Sequence, residues 1–276
     1  MHHVDRYCVF GNPVAHSKSP EIHAAFAAQT GQRILYERRL AEPDGFADAV
    51  RAFIHEGGMG ANVTVPFKLD ACALADALSA RAQAAGAVNT LTFRGGVILG
   101  DNTDGAGLVA DIVSNAGWPV KGKRVLLLGA GGAARGVILP LLGQQPSQIM
   151  IANRTRATAD ALVAQFSSQC GDPEQLKACD FSEPGAPFDI IINATSASLN
   201  GAVVPLPAAV FGPRTLALDM MYGKQPTAFM EYAQRHGASV RDGLGMLVEQ
   251  AAEAFFVWRG VRPDTRSLLA DMRAQP

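Results

Sequence analysis

The chain has 276 residues, 48% of them hydrophobic and 18% charged, with a formal net charge of −1 at pH 7. That length suggests two domains, since one core usually serves about 100–200 residues. The near-neutral balance, with no basic face or run, gives no case for nucleic acid or a membrane surface as partner, and no stretch is apolar for the roughly 18 residues a membrane span needs.

Strand and helix patterns alternate from end to end, which predicts an α/β fold with mostly parallel sheets. Residues 7–10 read as a strand stopped by Gly11-Asn12-Pro13, and 21–29 as a helix with Ile22 and Phe26 on one face. A strand at 34–40 and a helix at 45–55 follow, then Gly57-Gly58 and a strand at 60–65. The alanine-rich stretch 69–85 predicts a helix with an interruption near Ser79. Residues 88–93 and 97–99 form a hairpin around Arg94-Gly95-Gly96. A polar loop at 100–105 closes this half, and 106–115 is a connecting helix.

The second half opens at Lys121-Gly122 with residues 123–135, KRVLLLGAGGAAR. Val125 to Leu128 make an apolar run of strand length, Gly129, Gly131 and Ala134 fit G-x-G-x-x-G/A, and 133–142 reads as a helix. The small residues suit a tight turn, close approach of backbone to a pyrophosphate, and helix–strand packing. Anions favour the helix start, where unpaired N–H groups and the macrodipole converge. A glycine-rich turn also occurs without a ligand; the strand before it and the helix after it favour a dinucleotide site. Further strands fall at 149–152, 188–192, 215–220 and 238–240, and helices at 157–166, 228–235, 244–258 and 267–273. No strand is expected after the last two helices, which suggests that they pack back on the first domain.

The end of the second strand reports on the cofactor. An NAD site usually carries an acid there, roughly 20 residues past the glycines. This chain has Asn153-Arg154-Thr155-Arg156, with no carboxylate before Asp160. Two guanidiniums and a hydroxyl suit a 2′-phosphate, so NADP is expected over NAD; the bland alternative is a solvated loop with Thr155 capping the next helix.

In the first half, Ser19 at N-cap and Pro20 at N1 would start a helix. That accounts for Ser19 but not for Ser17, and a helix start carrying two hydroxyls is also a carboxylate site. Along Asn62-Val63-Thr64-Val65-Pro66-Phe67-Lys68, alternation puts Asn62, Thr64 and Pro66 on one face. Lys68 falls in the first turn of a helix, the disfavoured end for a cation. A lysine is usually a solvated surface residue, but where a helix N-terminus and burial disfavour its charge it can exchange a proton at neutral pH. In Asp101-Asn102-Thr103-Asp104-Gly105, one aspartate could position such a lysine; the alternative is an N-cap at Asp104 with an Asx turn at Asp101, and spacing does not say which aspartate acts. On the last long helix Leu247, Ala251, Ala254 and Trp258 predict the buried stripe, with Gln250 beside it. Tyr222 sits just past a strand end, where α/β folds place ligand contacts. Cys8, Cys72, Cys170 and Cys179 are scattered and the six histidines lack zinc spacing. No disulfide and no metal are expected, only reduced thiols. The start MHHVDRYCVFGNP lacks the features of a signal peptide, so a cytoplasmic enzyme is expected.

Together these motifs resemble the shikimate dehydrogenase family. The residues that carry the resemblance are Gly11-Asn12-Pro13-Val14-Ala15-His16-Ser17-Lys18-Ser19-Pro20, residues 62–68, Ala87-Val88-Asn89-Thr90 and residues 101–107. In the second half they are residues 129–135, Asn153-Arg154-Thr155, Asn193-Ala194-Thr195-Ser196 and Asp242-Gly243-Leu244-Gly245-Met246-Leu247. The resemblance implies an N-terminal α/β substrate domain completed by C-terminal helices (1–105 and 241–276) and a Rossmann-type NADP-binding domain (106–240). It implies that Ser17 and Ser19 bind the shikimate carboxylate, and that Thr64, Asn89, Asp104, Tyr222 and Gln250 hold the ring hydroxyls. Lys68 would be proton donor and acceptor, touching substrate, with Asp104 as its partner. Gly129, Ala130, Gly131, Gly132 and Ala133 would hold the pyrophosphate, and Asn153, Arg154, Thr155 and Arg156 the ribose phosphate. Thr195, Met220, Gly243 and Met246 would also contact the cofactor, the last three near the nicotinamide. Many relatives have another basic residue shortly after the N-R-T triplet; here Thr158 occupies that region and Arg156 comes earlier. The implied activity is NADPH-dependent reversible reduction of 3-dehydroshikimate to shikimate, by a monomer or homodimer acting on a small molecule. The rivals are an NAD-using quinate/shikimate dehydrogenase and a non-catalytic paralogue that binds a polyol acid. The methylene-tetrahydrofolate dehydrogenases share the broad architecture but not these substrate motifs.

Overall fold

The computed structural model describes residues 4–185 and 187–274. The chain divides into two compact units, one running up to Gly107 and resumed from Val248, the other Leu108–Leu247.

The first unit contains β1 (Asp5–Gly11), α1 (Ser19–Thr30), β2 (Ile34–Leu40), α2 (Phe46–His55), β3 (Gly58–Val63) and α3 (Lys68–Leu74). It continues with β4 (Ala77–Leu78), α4 (Ala80–Ala85), β5 (Thr90–Arg94), β6 (Val97–Asp101) and the start of α5 (Asp104–Ala110). The sheet order is β2-β1-β3-β5-β6-β4. β1 is parallel to both neighbours, and β5 is antiparallel to β3 and β6. Phe10, Phe46, Phe53, Phe67, Val88 and Leu91 fill the core on one side. The β5–β6 hairpin turns at Gly95 and Gly96, whose φ values of +60° and +79° suit a two-residue turn that glycine adopts without a Cβ clash.

Local chemistry explains one expectation here and corrects another. The stretch 69–85 is two short helices, because Ala77–Leu78 pairs with Leu99 and Gly100 and the Ser79 hydroxyl then caps α4 at the Ala82 amide. β3 ends at Val63, so Thr64 and Pro66 do not continue its alternating face.

His23 on α1 is fully buried, its ring stacked on Tyr36 at 4.2 Å between centroids and flanked by Phe26, Phe255 and Trp258. Neither ring nitrogen has a hydrogen-bond partner. Burial lowers its pKa from 6.5 to about 3, so the folded chain holds it neutral. The unfolded chain takes up the proton below pH 6.5, so this contribution to stability is complete above that value and is lost as the pH falls towards 3. Going from pH 7 to pH 5 should therefore cost about 2 kcal/mol through this residue. In urea unfolding, His23→Leu should show a correspondingly smaller difference between the two pH values; an unchanged difference would show that His23 does not titrate on unfolding.

The second unit contains β7 (Arg124–Leu128), α6 (Gly132–Gly143), β8 (Gln148–Ala152), α7 (Arg156–Phe166) and β9 (Leu176–Cys179). After these come β10 (Ile190–Asn193), β11 (Leu216–Asp219), α8 (Ala228–Arg235) and β12 (Ser239–Arg241). Its sheet is all parallel in the order β12-β11-β10-β7-β8-β9. Val125, Leu126, Leu127 and Leu128 are fully buried, as expected for a central strand covered on both faces. β9 is an unforeseen edge strand: Leu-Lys-Ala-Cys is too short and mixed to announce itself.

Within this unit α5 ends in a π-helical turn, Asp111–Asn115. The fully buried Asp111 carboxylate takes a bidentate pair from Arg241, at 2.7 Å from Nε and 2.6 Å from Nη2. Residues 241–247, expected with the first domain, pack here; a Cβ on Gly245 would stand 1.8 Å from Asp111 Oδ1. α9 (Leu244–Arg259) and α10 (Arg266–Ala274) end the chain. The fully buried residues of α9 are Val248, Ala251, Ala252, Ala254 and Phe255, whereas Leu247 and Trp258 are half-buried, so the apolar stripe is rotated from the expected one.

Candidate functional site

In the first unit the chain leaves β3 at Val63 and enters α3 at Lys68. Phe67, fully buried and stacked on Phe46 at 5.0 Å, anchors the residue before the lysine. Thr64 is held beside β1, its amide donating to the Phe10 carbonyl at 2.9 Å. A Cβ on Gly11 would meet the Thr64 methyl at 2.5 Å, so glycine there lets the two segments close.

Lys68 Nζ donates to Asp104 Oδ2 at 2.6 Å. The lysine remains 32% exposed and the aspartate 14%, so the pair is reachable from solvent but partly shielded. The other oxygen, Asp104 Oδ1, accepts from Asn89 Nδ2 at 2.8 Å. Asn89 is buried, and its amide also reaches Thr103 Oγ1 at 2.9 Å and Gln250 Oε1 at 3.4 Å. Its carbonyl oxygen accepts from the Thr103 amide and the Thr90 hydroxyl, both at 2.8 Å. Beneath it, buried Asn62 donates to the Asn89 backbone carbonyl at 3.2 Å and accepts from the Tyr36 hydroxyl at 2.7 Å. Helix α5 passes so close to α9 that a Cβ on Gly107 would lie 2.6 Å from the Gln250 amide nitrogen. Lys68, Asn89, Asp104 and Gln250 therefore form one hydrogen-bonded cluster.

The geometry separates the two aspartates. Asp101 is occupied by Arg81 and Ser79, and these partners, acting against burial, hold its carboxyl below the usual carboxylate range. Asp104 faces Lys68. Nor is Asp104 the N-cap: it is the first residue of α5, and its amide is taken by Asn102 Oδ1 at 3.1 Å.

Ser19 likewise is not the N-cap of α1. Lys18 holds that position with no side-chain cap bond, and Ser19 already lies in the helix. The Ser19 amide donates to Ser17 Oγ at 3.3 Å, and the two hydroxyls are 3.2 Å apart. Capping thus does not consume the Ser19 hydroxyl, which removes the structural explanation the sequence offered for it.

In the second unit Gly129 has φ +99°, a conformation that disfavours any Cβ, and a Cβ there would press on the Thr195 methyl at 3.1 Å. Gly131, Gly132 and Ala133 are exposed at the start of α6, and a Cβ on either glycine would meet nothing within 4 Å. The loop thereby leaves bare backbone at a helix N-terminus, which fits a dinucleotide pyrophosphate. At the end of β8, Arg154, Thr155 and Arg156 are exposed. Asn153 Nδ2 donates to the Thr155 carbonyl at 2.9 Å, which shapes the loop. Thr155 is the N-cap of α7 without making a side-chain cap bond, and Arg156 reaches Asp160 at 3.4 Å. Hydroxyl and guanidiniums face solvent with no acid among residues 153–156, which fits a 2′-phosphate better than a free ribose.

Between β10 and β11, Asn193 accepts from the Thr195 amide at 3.1 Å and hydroxyl at 2.7 Å. Asp219, fully buried, accepts from Asn193, Ser198 and Thr227 side chains and from the Met221 amide. A Cβ on Gly243 would strike the Met220 carbonyl at 2.1 Å, so residues 220 and 243 lie backbone to backbone. Met246 is buried, and Tyr222 is exposed just beyond β11. Sequence reasoning missed Asn62, Thr103 and Arg81 as organisers of the first cluster. Asn62 and Thr103 stood inside motifs already singled out, but Arg81, in an alanine-rich helix, gave no signal.

Among the described residues no group of three or more His, Cys, Asp or Glu could hold a metal ion, and no helix is long and apolar enough to cross a membrane.

A parallel sheet with a glycine loop after its first strand, joined to a second α/β unit, defines the class: a nicotinamide-dinucleotide-dependent dehydrogenase. Three family descriptions match in order: the shikimate dehydrogenase substrate binding domain over residues 9–91, shikimate/quinate 5-dehydrogenase over 111–201, and the shikimate 5′-dehydrogenase C-terminal domain over 243–273. The chain belongs to the shikimate dehydrogenase family. It is 60% identical to the shikimate dehydrogenase (NADP(+)) of Herminiimonas arsenicoxydans, over 98% of each chain. Among solved structures, an Ael1 enzyme from Pseudomonas putida superposes with a TM-score of 0.93 at 48% identity, covering 98% of this chain and 99% of that one. Shikimate 5-dehydrogenase from Thermus thermophilus, in complex with NADP(H) and shikimate, gives 0.86 at 34% identity, with the same coverage.

Proposed function

We propose that the chain catalyses the NADP-linked, reversible reduction of 3-dehydroshikimate to shikimate, with Lys68 as proton donor and acceptor and Asp104 as its partner. The observation that carries this reading is the 2.6 Å contact between Lys68 and an aspartate whose second oxygen is held by Asn89. Binding alone needs no proton relay, which disfavours a non-catalytic paralogue.

Ser17 and Ser19 take the substrate carboxylate, with hydroxyls at a helix start where backbone amides favour an anion. Thr64, Asn89, Asp104, Tyr222 and Gln250 take the ring hydroxyls. In the cofactor site Gly129, Ala130, Gly131, Gly132 and Ala133 hold the pyrophosphate, Asn153 to Arg156 the ribose phosphate, and Thr195, Met220, Gly243 and Met246 the remainder. NADPH, when bound, supplies the hydride for the ketone carbon. Lys68 Nζ gives a proton to the oxygen that becomes alkoxide and takes it back in the reverse direction. Asp104 keeps the ammonium aimed, and Asn89 keeps Asp104 from rotating away.

The test is nicotinamide reduction followed with shikimate or quinate, each paired in turn with NADP and with NAD. Turnover is expected to be fastest with shikimate and NADP; turnover with none of these pairs would remove the enzymatic reading. In the same assay Arg154→Ala should raise KM for NADP by about 10–100-fold, the worth of a charge-assisted phosphate contact, and change KM for NAD little. Equal losses with both would contradict a 2′-phosphate at Arg154.

A further inference from the structure

We propose that Arg81 is a positioning residue for the substrate site, a single guanidinium that holds the loop carrying Asp104 and the helix carrying Gln250 in register with each other. The proposal rests on the reading that Asp104, Asn89 and Gln250 bind substrate.

Arg81 lies on α4, outside every motif that marks the site. Its Nε donates to Asp101 Oδ1 at 2.7 Å and its Nη2 to Asp101 Oδ2 at 2.6 Å, a two-pronged fork. Its remaining nitrogen, Nη1, donates to Glu253 Oε1 at 2.8 Å, while the other Glu253 oxygen accepts from the more exposed Arg262. The three side chains are only 25%, 16% and 14% exposed, so these contacts are partly shielded from water and salt.

Each acid is coupled to the site by short covalent paths. Asp101 precedes Asn102-Thr103-Asp104; its carboxylate accepts from the Asn102 backbone amide at 2.7 Å and its backbone carbonyl from the Asn89 backbone amide at 3.0 Å. Fixing Asp101 therefore fixes the turn that aims Asp104 and the strand end that carries Asn89. Glu253 lies one helical turn after Gln250, so the two side chains leave the same side of α9. Packing of its buried face orients α9 as a whole, and holding Glu253 fixes the polar edge that carries Gln250, with its 3.4 Å approach to Asn89 and to Thr103. Only a planar fork with a third donor can satisfy both acids at once; a lysine ammonium cannot reproduce that geometry. Site groups displaced by about an ångström can lose roughly 100-fold in rate, which sets the scale of the effect.

The experiment compares Arg81→Gln, Arg81→Lys and Glu253→Ala with the wild type in steady-state kinetics for both substrates, alongside thermal unfolding. Arg81→Gln is expected to lower kcat/KM for shikimate by roughly 10–100-fold, chiefly through KM, with KM for NADP unchanged. Arg81→Lys should not restore it, and Glu253→Ala, which frees only the helix arm, should shift KM for shikimate in the same direction by less. Adding Glu253→Ala to Arg81→Gln should raise KM for shikimate by less than the product of the two single changes, because both remove the Arg81–Glu253 contact. A folded Arg81→Gln protein with wild-type KM for shikimate, or one in which both KM values rise together, would overturn the proposal. If Arg81→Gln does not fold, a Glu253→Ala protein with unaltered KM for shikimate overturns it instead. Wild-type protein inactive on shikimate would remove the underlying reading, an outcome separate from variants that match an active wild type.

Discussion

Replacing Lys68 with alanine should lower kcat by roughly 10²–10⁴-fold, the usual worth of a placed general acid, with little change in KM for shikimate. The structure gives the reason for the split. Asp104 loses its cation but keeps the 2.8 Å hydrogen bond from Asn89, and Asn89 keeps Thr103 and Gln250, so the groups assigned to ring binding remain in place. The group removed is the one proposed to exchange a proton as the alkoxide forms and collapses. An interaction made chiefly in the transition state lowers kcat and kcat/KM together. Measured by shikimate-dependent reduction of NADP at saturating concentrations, a Lys68→Ala protein with near-wild-type kcat would take the lysine out of proton transfer.

The largest effect on stability is expected at a residue without a side chain. Gly245→Ala would place a methyl 1.8 Å from Asp111 Oδ1, a carboxylate fully buried and gripped by Arg241. The oxygen has nowhere to retreat without breaking the pair, and a buried charge deprived of its partner costs about 3–5 kcal/mol. Against a net stability of about 5–15 kcal/mol, that loss should lower the unfolding midpoint of the second unit markedly. Urea titration followed by circular dichroism would measure it; a midpoint equal to the wild type would mean that the helix start shifts to accept the methyl without cost.

Sequence pattern conveyed the frame of the molecule because its signals are local. The continuous apolar run of β7, the glycine turn after it and the helix of α6 were each visible within a dozen residues. So were β2 and the Gly95-Gly96 hairpin. What escaped were elements decided by distant partners. β9 exists because β8 offers it an edge, and Ala77–Leu78 is a strand because β6 runs beside it. The rotated stripe of α9 depends on what surrounds the helix, not on its own spacing. The site divides in the same way. Lys68, Asn89 and Asp104 stood in recognisable clusters, but spacing could not choose between Asp101 and Asp104; the choice is made by Arg81, which takes one of them. Capping rules failed at Ser19 and Asp104, where the neighbouring side chains of Ser17 and Asn102 serve the backbone amides instead.

The buried amide of Asn89 carries a consequence for how a substrate is received. A side-chain amide has two hydrogens and an oxygen with two lone pairs. In Asn89 the hydrogens are shared among Thr103, Asp104 and Gln250, and the oxygen among Thr103 and Thr90. It has no spare valence. A ring hydroxyl taken up by Asn89 must be exchanged for a contact already made, and the 3.4 Å link to Gln250 is the longest and so the first to yield. On the proposed function, recognition at this point substitutes one neighbour for another, and its selectivity lies in whether the newcomer can stand where Gln250 Oε1 stood.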